Sequence, residues 1–439
     1  MFATFVALFV FATVSGHVYG DDVSDLHRAG VSFYERGEFR RALEKFEAAL
    51  KLAPEEKTIR VNLGRSYVGL ASQILDAASG SDSRELENAS QLLQKALLHW
   101  EGDAQTHELI ALCALRRNRL PEAERALRTA VERDPTAVRS WKLLGVVRDQ
   151  RGKTAAAIEA LEKAASLRPG DGAVTRRLRR LRHDQETISG GRPLGSARFR
   201  VYVPAELSLD EGRRVLGKLD AICEELERRW GGDPPRGVEV ILYPPGEFSR
   251  RTGFAEEVGG AFDGRIRIAF PEELKAGGLT LDQVIRHETA HLLLHRLPAP
   301  LPKWLDEGLA QMVDGGARAD WDERFRESGG SSAEVGILAR ESAIQAPRPE
   351  TWAGLYLHSY LFLKDLETQH GRFRLDLVVR RISRGTQAAA AFTEVYGSSP
   401  VELDRAWRAR LRGVKQAEGE GAEQAPTGAG IKKDGSGSR

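Results

Sequence analysis

Two histidines stand four apart in the run His287-Glu288-Thr289-Ala290-His291. On a helix that spacing puts both imidazoles on one face, one turn apart, at a reach that suits a single zinc ion. Glu288 is rotated about 100° from His287, so it sits beside such an ion without binding it. That is the place for a general base acting on a polarised water. Further on, Trp304-Leu305-Asp306-Glu307-Gly308-Leu309-Ala310 offers a second short helical segment that carries Glu307. A bare HExxH run arises often by chance; the pair of segments says much more.

The surrounding sequence must position these groups. Thr280 and Gln283 form a capping box, so the histidine helix begins at about Leu281, anchored by Val284, Ile285, Leu292 and Leu293. The proline-rich run from Leu297 to Pro302 breaks it, and the chain returns as a helix from about Lys303 to Val313. Helix, short loop and returning helix bring Glu307 back towards the histidines. His295 lies one more turn along the same face. Three successive i,i+4 side chains do not converge easily on one tetrahedral ion, since the outer pair is about 12 Å apart along the axis. His295 is therefore expected to be partly exposed, supporting the site rather than binding metal.

Before this helix the hydrophobic period is that of strands. Phe199, Val201 and Val203 alternate with Arg198, Arg200 and Tyr202. Ser208 and Glu211 then cap a long helix to about Trp230, with Val215, Leu219, Ile222 and Leu226 inward. Val238, Val240 and Leu242 form a second strand, and Ile266, Ile268 and Phe270 alternate with Arg265 and Arg267 in a third. An edge of this small sheet would hold an extended peptide by backbone hydrogen bonds. After the site, 317–348 reads as loops and short helices over one rim. Helices are expected at about 352–370, 372–383 and 401–413, and 414–439 is a disordered tail.

The N-terminal third has a different organisation. Residues 23–169 repeat with a period of about 34 residues. Gly30, Phe33, Gly37, Ala42, Phe46, Ala49 and Pro54 set the pattern, and Trp141, Leu144, Gly145, Gly152, Ala157, Leu161, Ala164 and Pro169 repeat it in the fourth unit. The second unit, opened by Gly64 and Tyr67, carries an insertion around Ser79–Ser83. These units resemble tetratricopeptide repeats. Small residues let paired helices approach, and four units suffice for a continuous core. The resemblance implies a concave surface for a peptide or protein partner. Ala173–His183 follows as a capping helix, with Arg176, Arg177, Arg179, Arg180 and Arg182 read as its solvated face rather than a nucleic-acid patch, because no aromatics interleave. The array with its cap spans 23–186, and 187–196 is read as a linker.

The whole-chain numbers set limits. The 439 residues, 41% apolar and 29% charged, accommodate two or three ordinary domains. A net charge of +2 gives no general drive towards nucleic acid or anionic membrane. Cys113 and Cys223 are expected as two buried free thiols. Phe2–Val14 is almost continuously apolar and is followed by small residues up to Gly20. Residues 1–20 thus read as a signal peptide, which implies an exported, periplasmic or secreted protein with no stable membrane insertion after cleavage. The apolar core is too short for a spanning helix.

The pattern His287-Glu288-x-x-His291 with Trp304-x-x-Glu307-Gly-x-Ala310 resembles the gluzincin metallopeptidases, the peptidase MA-like domains related to thermolysin, over about 197–413. The resemblance implies Zn2+ held by His287, His291 and Glu307, with Glu288 moving a proton from water to the leaving amine of a peptide or protein substrate. A metzincin would need glycine and histidine where Leu294 and Leu297 stand. Only 15 residues separate His291 from Glu307, which implies a minimal loop. Relatives often orient a histidine with a carboxylate four residues after the third ligand; Gln311 stands there, implying modest activity. Tyr356 either donates to the tetrahedral intermediate or pairs with Tyr360 in the core. The expected architecture is an all-α tetratricopeptide-repeat solenoid followed by an α+β zincin-like metallopeptidase domain. The alternative function is a repeat-based scaffold or envelope assembly factor whose zinc domain is structural or inactive.

Overall fold

The computed structural model describes residues 21–77, 83–232, 235–254, 259–270, 280–298, 301–315 and 349–410, with the side chains of 83 and 349–356 outside that set. The leader (1–20), the rim (317–348) and the tail (414–439) lie outside the described residues.

Four helical hairpins open the chain. They are α1 (Asp21–Glu35) with α2 (Phe39–Leu52), and α3 (Lys57–Ala77) with α4 (Ser83–His99). Next come α5 (Ala104–Arg116) with α6 (Leu120–Arg133), and α7 (Val138–Gln150) with α8 (Thr154–Leu167). Each packs on its partner and on the next pair. The small residues do what the repeat pattern requires. A Cβ on Gly145 would lie 2.5 Å from Leu161 Cγ, and one on Gly30 would lie 2.7 Å from Phe46 Cε1. Ala42, Ala49, Ala157 and Ala164 are buried between the helices. Phe46 is buried with them, whereas Phe33 is only partly buried and carries the Arg36 guanidinium on its ring.

The capping helix is longer than the sequence suggests. α9 runs from Gly172 to Gly190, its first turn closed by the Asp171 carboxylate. The stretch 187–196 is therefore no linker. Its first residues end α9, and β1 (Arg192–Gly195) pairs antiparallel with β2 (Phe199–Val203) as the first edge of a sheet. α10 (Leu209–Trp230) starts at the expected Ser208–Glu211 capping box and leads to β3 (Val238–Tyr243). A short helix, α11 (Phe248–Thr252), precedes the hairpin of β4 (Gly260–Phe262) and β5 (Ile266–Ala269). The strand order is β1-β2-β3-β5-β4, parallel in the middle and antiparallel at both edges.

The alternating strand pattern suggests one wet face, and the structure corrects this. Arg265 and Arg267 are fully buried, because α9 covers the face they occupy. Asp184 of α9 accepts from Arg265, Arg267 and Tyr243 at 3.1, 2.6 and 2.6 Å. The arginines of α9 are likewise not all solvated. Arg177 pairs with buried Asp149 of α7, and Arg180 with Asp263 in the β4–β5 turn.

The opposite face packs on α10 and on the histidine-bearing helix Leu281–Leu294, hereafter the metal helix. The return helix Lys303–Asp314 follows, then helices Pro349–His370, Arg372–Ser383 and Ala388–Tyr396, and a last one over 400–410. Of these, Ala388–Tyr396 is not visible in the sequence pattern. Strands, α10 and these helices share one apolar core. Cys113 and Cys223 are free and buried, and burial pushes their thiols up to about 11 and about 12. Among the described residues no helix is long and apolar enough to cross a membrane.

Candidate metal centre

The metal helix starts at the Thr280–Gln283 capping box, both of whose hydrogen bonds form. This fixes its register in the core and turns Glu288 and His291 inward, with His287 half-buried beside them. The return helix brings Glu307 across. Gly308 makes the approach of the next helix possible, since a Cβ there would lie 2.8 Å from Leu363 Cδ1 and 3.1 Å from the Ser359 carbonyl oxygen.

Three donor atoms converge. His287 Nε2 and His291 Nε2 are 3.1 Å apart, and Glu307 Oε2 lies 3.7 and 3.5 Å from them. Ligands at about 2.0–2.1 Å from a tetrahedral zinc are separated by about 3.3 Å, so this triangle fits one face of that polyhedron. The opposite ring nitrogens are already engaged. His287 Nδ1 is 2.7 Å from Asp314 Oδ2, and His291 Nδ1 is 2.9 Å from Asp306 Oδ1. Nδ1–H donated to a carboxylate leaves the Nε2 lone pair for the shared point, the arrangement that metal-binding histidines adopt. The two Nε2 atoms lie at hydrogen-bond distance, so in the metal-free protein a proton held between them occupies the place that a shared cation would take. The residues therefore fit zinc.

The electrostatics agree. Burial alone would lower the His287 imidazole, but Asp314 and Glu307 outweigh it and raise it to about 9. His291 is also opposed by burial, and Asp306 and Glu307 hold it well above its ordinary value. Glu307 is held well below the carboxylate range because His291 and Lys303 outweigh its burial. The Glu307 carboxylate is divided: Oε2 faces the histidines, while Oε1 takes the Lys303 ammonium at 2.5 Å. Glu288 is buried, and desolvation raises its carboxyl against the pull of His287 and His291.

Gln311 is not the orienting group that the resemblance implies. It is buried, its Oε1 has no hydrogen-bond partner among the described residues, and Asp306 and Asp314 orient the histidines instead. Both carboxylates left a trace in the sequence. Asp306 adjoins Glu307, and Asp314 follows it by two helical turns on the same face. His295 is half exposed and puts Nε2 3.2 Å from Asp306 Oδ2, so it supports the carboxylate that holds His291. His291, His295 and Asp306 also form a close donor group, which shares His291 with the first set.

β4 is the sheet edge beside the site, a strand absent from the sequence reading. A Cβ on Gly260 would lie 2.6 Å from Val284 Cγ1 and 2.9 Å from Glu288 Cγ, so the strand lies directly over the candidate base. Tyr356 falls in the helix Pro349–His370, but its side chain lies outside the described residues. Tyr360 is buried in the common core.

Comparison with known proteins bears on the repeats. No curated protein matches the chain. A crystal structure of MamA is 20% identical over 38% of this chain and 85% of its own, with a TM-score of 0.29. YrrB, described as a TPR protein with an unusual peptide-binding site, is 16% identical over 37% and 76%, with a TM-score of 0.29. TTC0263, a thermophilic TPR protein of Thermus thermophilus, is 20% identical over 37% and 99%, with a TM-score of 0.24. The family model for the tetratricopeptide repeat matches residues 27–78 and 111–172, most of the span that folds into the paired helices α1–α8, and the N-terminal region is thus a tetratricopeptide-repeat array, which supports a role in protein interaction.

Proposed function

We propose that this protein is an exported zinc-dependent metallopeptidase of gluzincin type, whose repeat array binds a substrate or partner protein. One observation carries the reading. Two imidazole nitrogens and a carboxylate oxygen form a zinc-sized triangle, each imidazole is fixed from behind by a carboxylate, and a buried glutamate adjoins the first histidine.

His287, His291 and Glu307 would hold the ion, and Asp314, Asp306 and Lys303 keep those three in place. Zinc supplies Lewis-acid polarisation of water and of a carbonyl oxygen when bound. Glu288 takes the proton from the attacking water and returns it to the leaving nitrogen. Burial raises its carboxyl, which makes it a better proton acceptor than an exposed glutamate. The outer edge of β4 would pair with an extended substrate backbone. Export rests on the apolar run at residues 2–14.

The test combines zinc analysis of the purified protein with digestion of a peptide library by wild type and Glu288→Gln. Stoichiometric zinc in both and cleavage by wild type alone supports the reading. Absence of zinc, or equal cleavage by the variant, removes it.

A second reading is a repeat scaffold with a structural zinc domain, favoured by the family match over the array. Under it, His287→Ala lowers the melting temperature, neither protein cleaves peptides, and partner capture through 23–169 persists.

A further inference from the structure

The contact between array and sheet is built from charge. Asp149 and Asp184 are buried on the array side, facing Arg265, Arg267 and Tyr243 of the sheet. Arg177 and Arg180 of α9 complete the set, Arg180 Nη2 reaching Asp263 Oδ2 at 2.7 Å. Arg267 Nη1 also pairs with Asp263, and Arg265 Nη2 donates to Thr154 Oγ1 at 2.7 Å. Removing so many charges from water is costly unless each is paired, so a sliding or hinged contact is disfavoured. Backbone packing closes the same gap. Gly264 sits at φ +111°, and a Cβ there would lie 2.7 Å from Gln150 Cα of α7. Asn118, in the turn after α5, donates to the His295 carbonyl oxygen at the end of the metal helix.

These contacts have one target. Asp263, Gly264, Arg265 and Arg267 belong to the β4–β5 hairpin, whose β4 strand lies over Glu288 and whose Phe262 meets the His295 ring edge-on at 5.3 Å. The array grips the hairpin from one side; the metal helix bears on it from the other.

We propose that the repeat array sets the position of the β4–β5 hairpin, with Asp184 and Arg180 as positioning residues for the strand over Glu288. The array is then one wall of the site, and what it binds is delivered to a fixed distance from the metal centre. The catalytic consequence rests on the peptidase reading above; the mechanical claim does not.

The test uses the full-length protein and hydrogen exchange over 259–270. Arg180→Met removes the charge at Asp263 together with the guanidinium that lies over the Phe254 ring. It should speed exchange of the hairpin amides by at least about tenfold while 281–294 and the repeats stay protected and zinc content is unchanged. Arg180→Lys should restore protection. Asp184→Asn should have the larger effect; if it fails to fold, Arg180→Met decides alone. With any peptide the enzyme cleaves, Arg180→Met should raise KM and leave kcat near wild type. Unchanged hairpin exchange in folded Arg180→Met overturns the proposal, as does loosening spread equally over the whole chain. Exchange is read whether or not peptides are cleaved, so the two readings fail separately.

Discussion

Asp306 and Glu307, neighbours in the chain, grip opposite nitrogens of the same ring: Asp306 Oδ1 is 2.9 Å from His291 Nδ1, and Glu307 Oε2 is 3.5 Å from His291 Nε2. One residue orients the imidazole while the next completes the donor triangle. A single turn of the return helix therefore supplies both roles.

Asp306→Asn and Asp314→Asn should each lower zinc affinity by roughly 10–100-fold, measured by competition with a chromophoric chelator. Gln311→Glu should not restore affinity in either variant, since the Gln311 Oε1 hydrogen-bonds to neither histidine and Asp314 and Asp306 hold both rings. A rescue by Gln311→Glu would return the orienting role to that position.

Glu288→Gln should retain zinc and fold, and should reduce peptide hydrolysis by at least about 10²-fold. Steady-state kinetics with metal analysis on the same sample checks this. Full activity in the variant would move the proton transfer elsewhere.

Zinc uptake should depend on pH. In the metal-free protein His287 holds its proton up to about 9, so zinc must displace that proton near neutrality. Affinity should rise with pH through about 9, because the raised imidazoles of His287 and His291 must both give up a proton to the ion. Calorimetry in buffers of different ionisation enthalpy should show proton release at about pH 7. No release would contradict the Asp314–His287 arrangement.

The interface between array and sheet should fail in acid. Burial would raise Asp184, but Arg267, Arg265 and Tyr243 outweigh it and hold its carboxyl below the ordinary range; Asp263 is likewise lowered, by Arg267 and Arg180. A carboxylate depressed in the folded state stabilises above its unfolded value of about 3.9 and loses that contribution as pH falls through the folded value. Asp149 runs the other way, since burial raises it. Melting temperature should therefore drop steeply below about pH 4, and Asp184→Asn should flatten that drop. An equal slope in both proteins would assign acid sensitivity to other groups.

Gly145→Ala should destabilise the array by about 1–3 kcal/mol, because the new Cβ has no room beside Leu161. Denaturant unfolding of the full chain reads the change. Gly217→Ala, which meets nothing within 4 Å, is the control.

What the sequence determined by itself is local. The repeat spacing, the capping boxes at Ser208 and Thr280 and the four-residue histidine spacing are set by neighbours along the chain, through helix period and terminal hydrogen bonds. Glu307 was legible because a broken and resumed helix brings it back. Tertiary structure decided the rest. Asp306 and Asp314 became orienting groups only once two helices crossed, since adjacency in sequence does not say which ring a carboxylate faces. β4 was too short to show a period, and β1 was masked by the polar composition of its segment. Arg265 and Arg267 alternate as a wet face would, and the arginines of α9 look solvated. Their burial follows from long-range pairing with Asp184, Asp263 and Asp149, which no window along the chain contains.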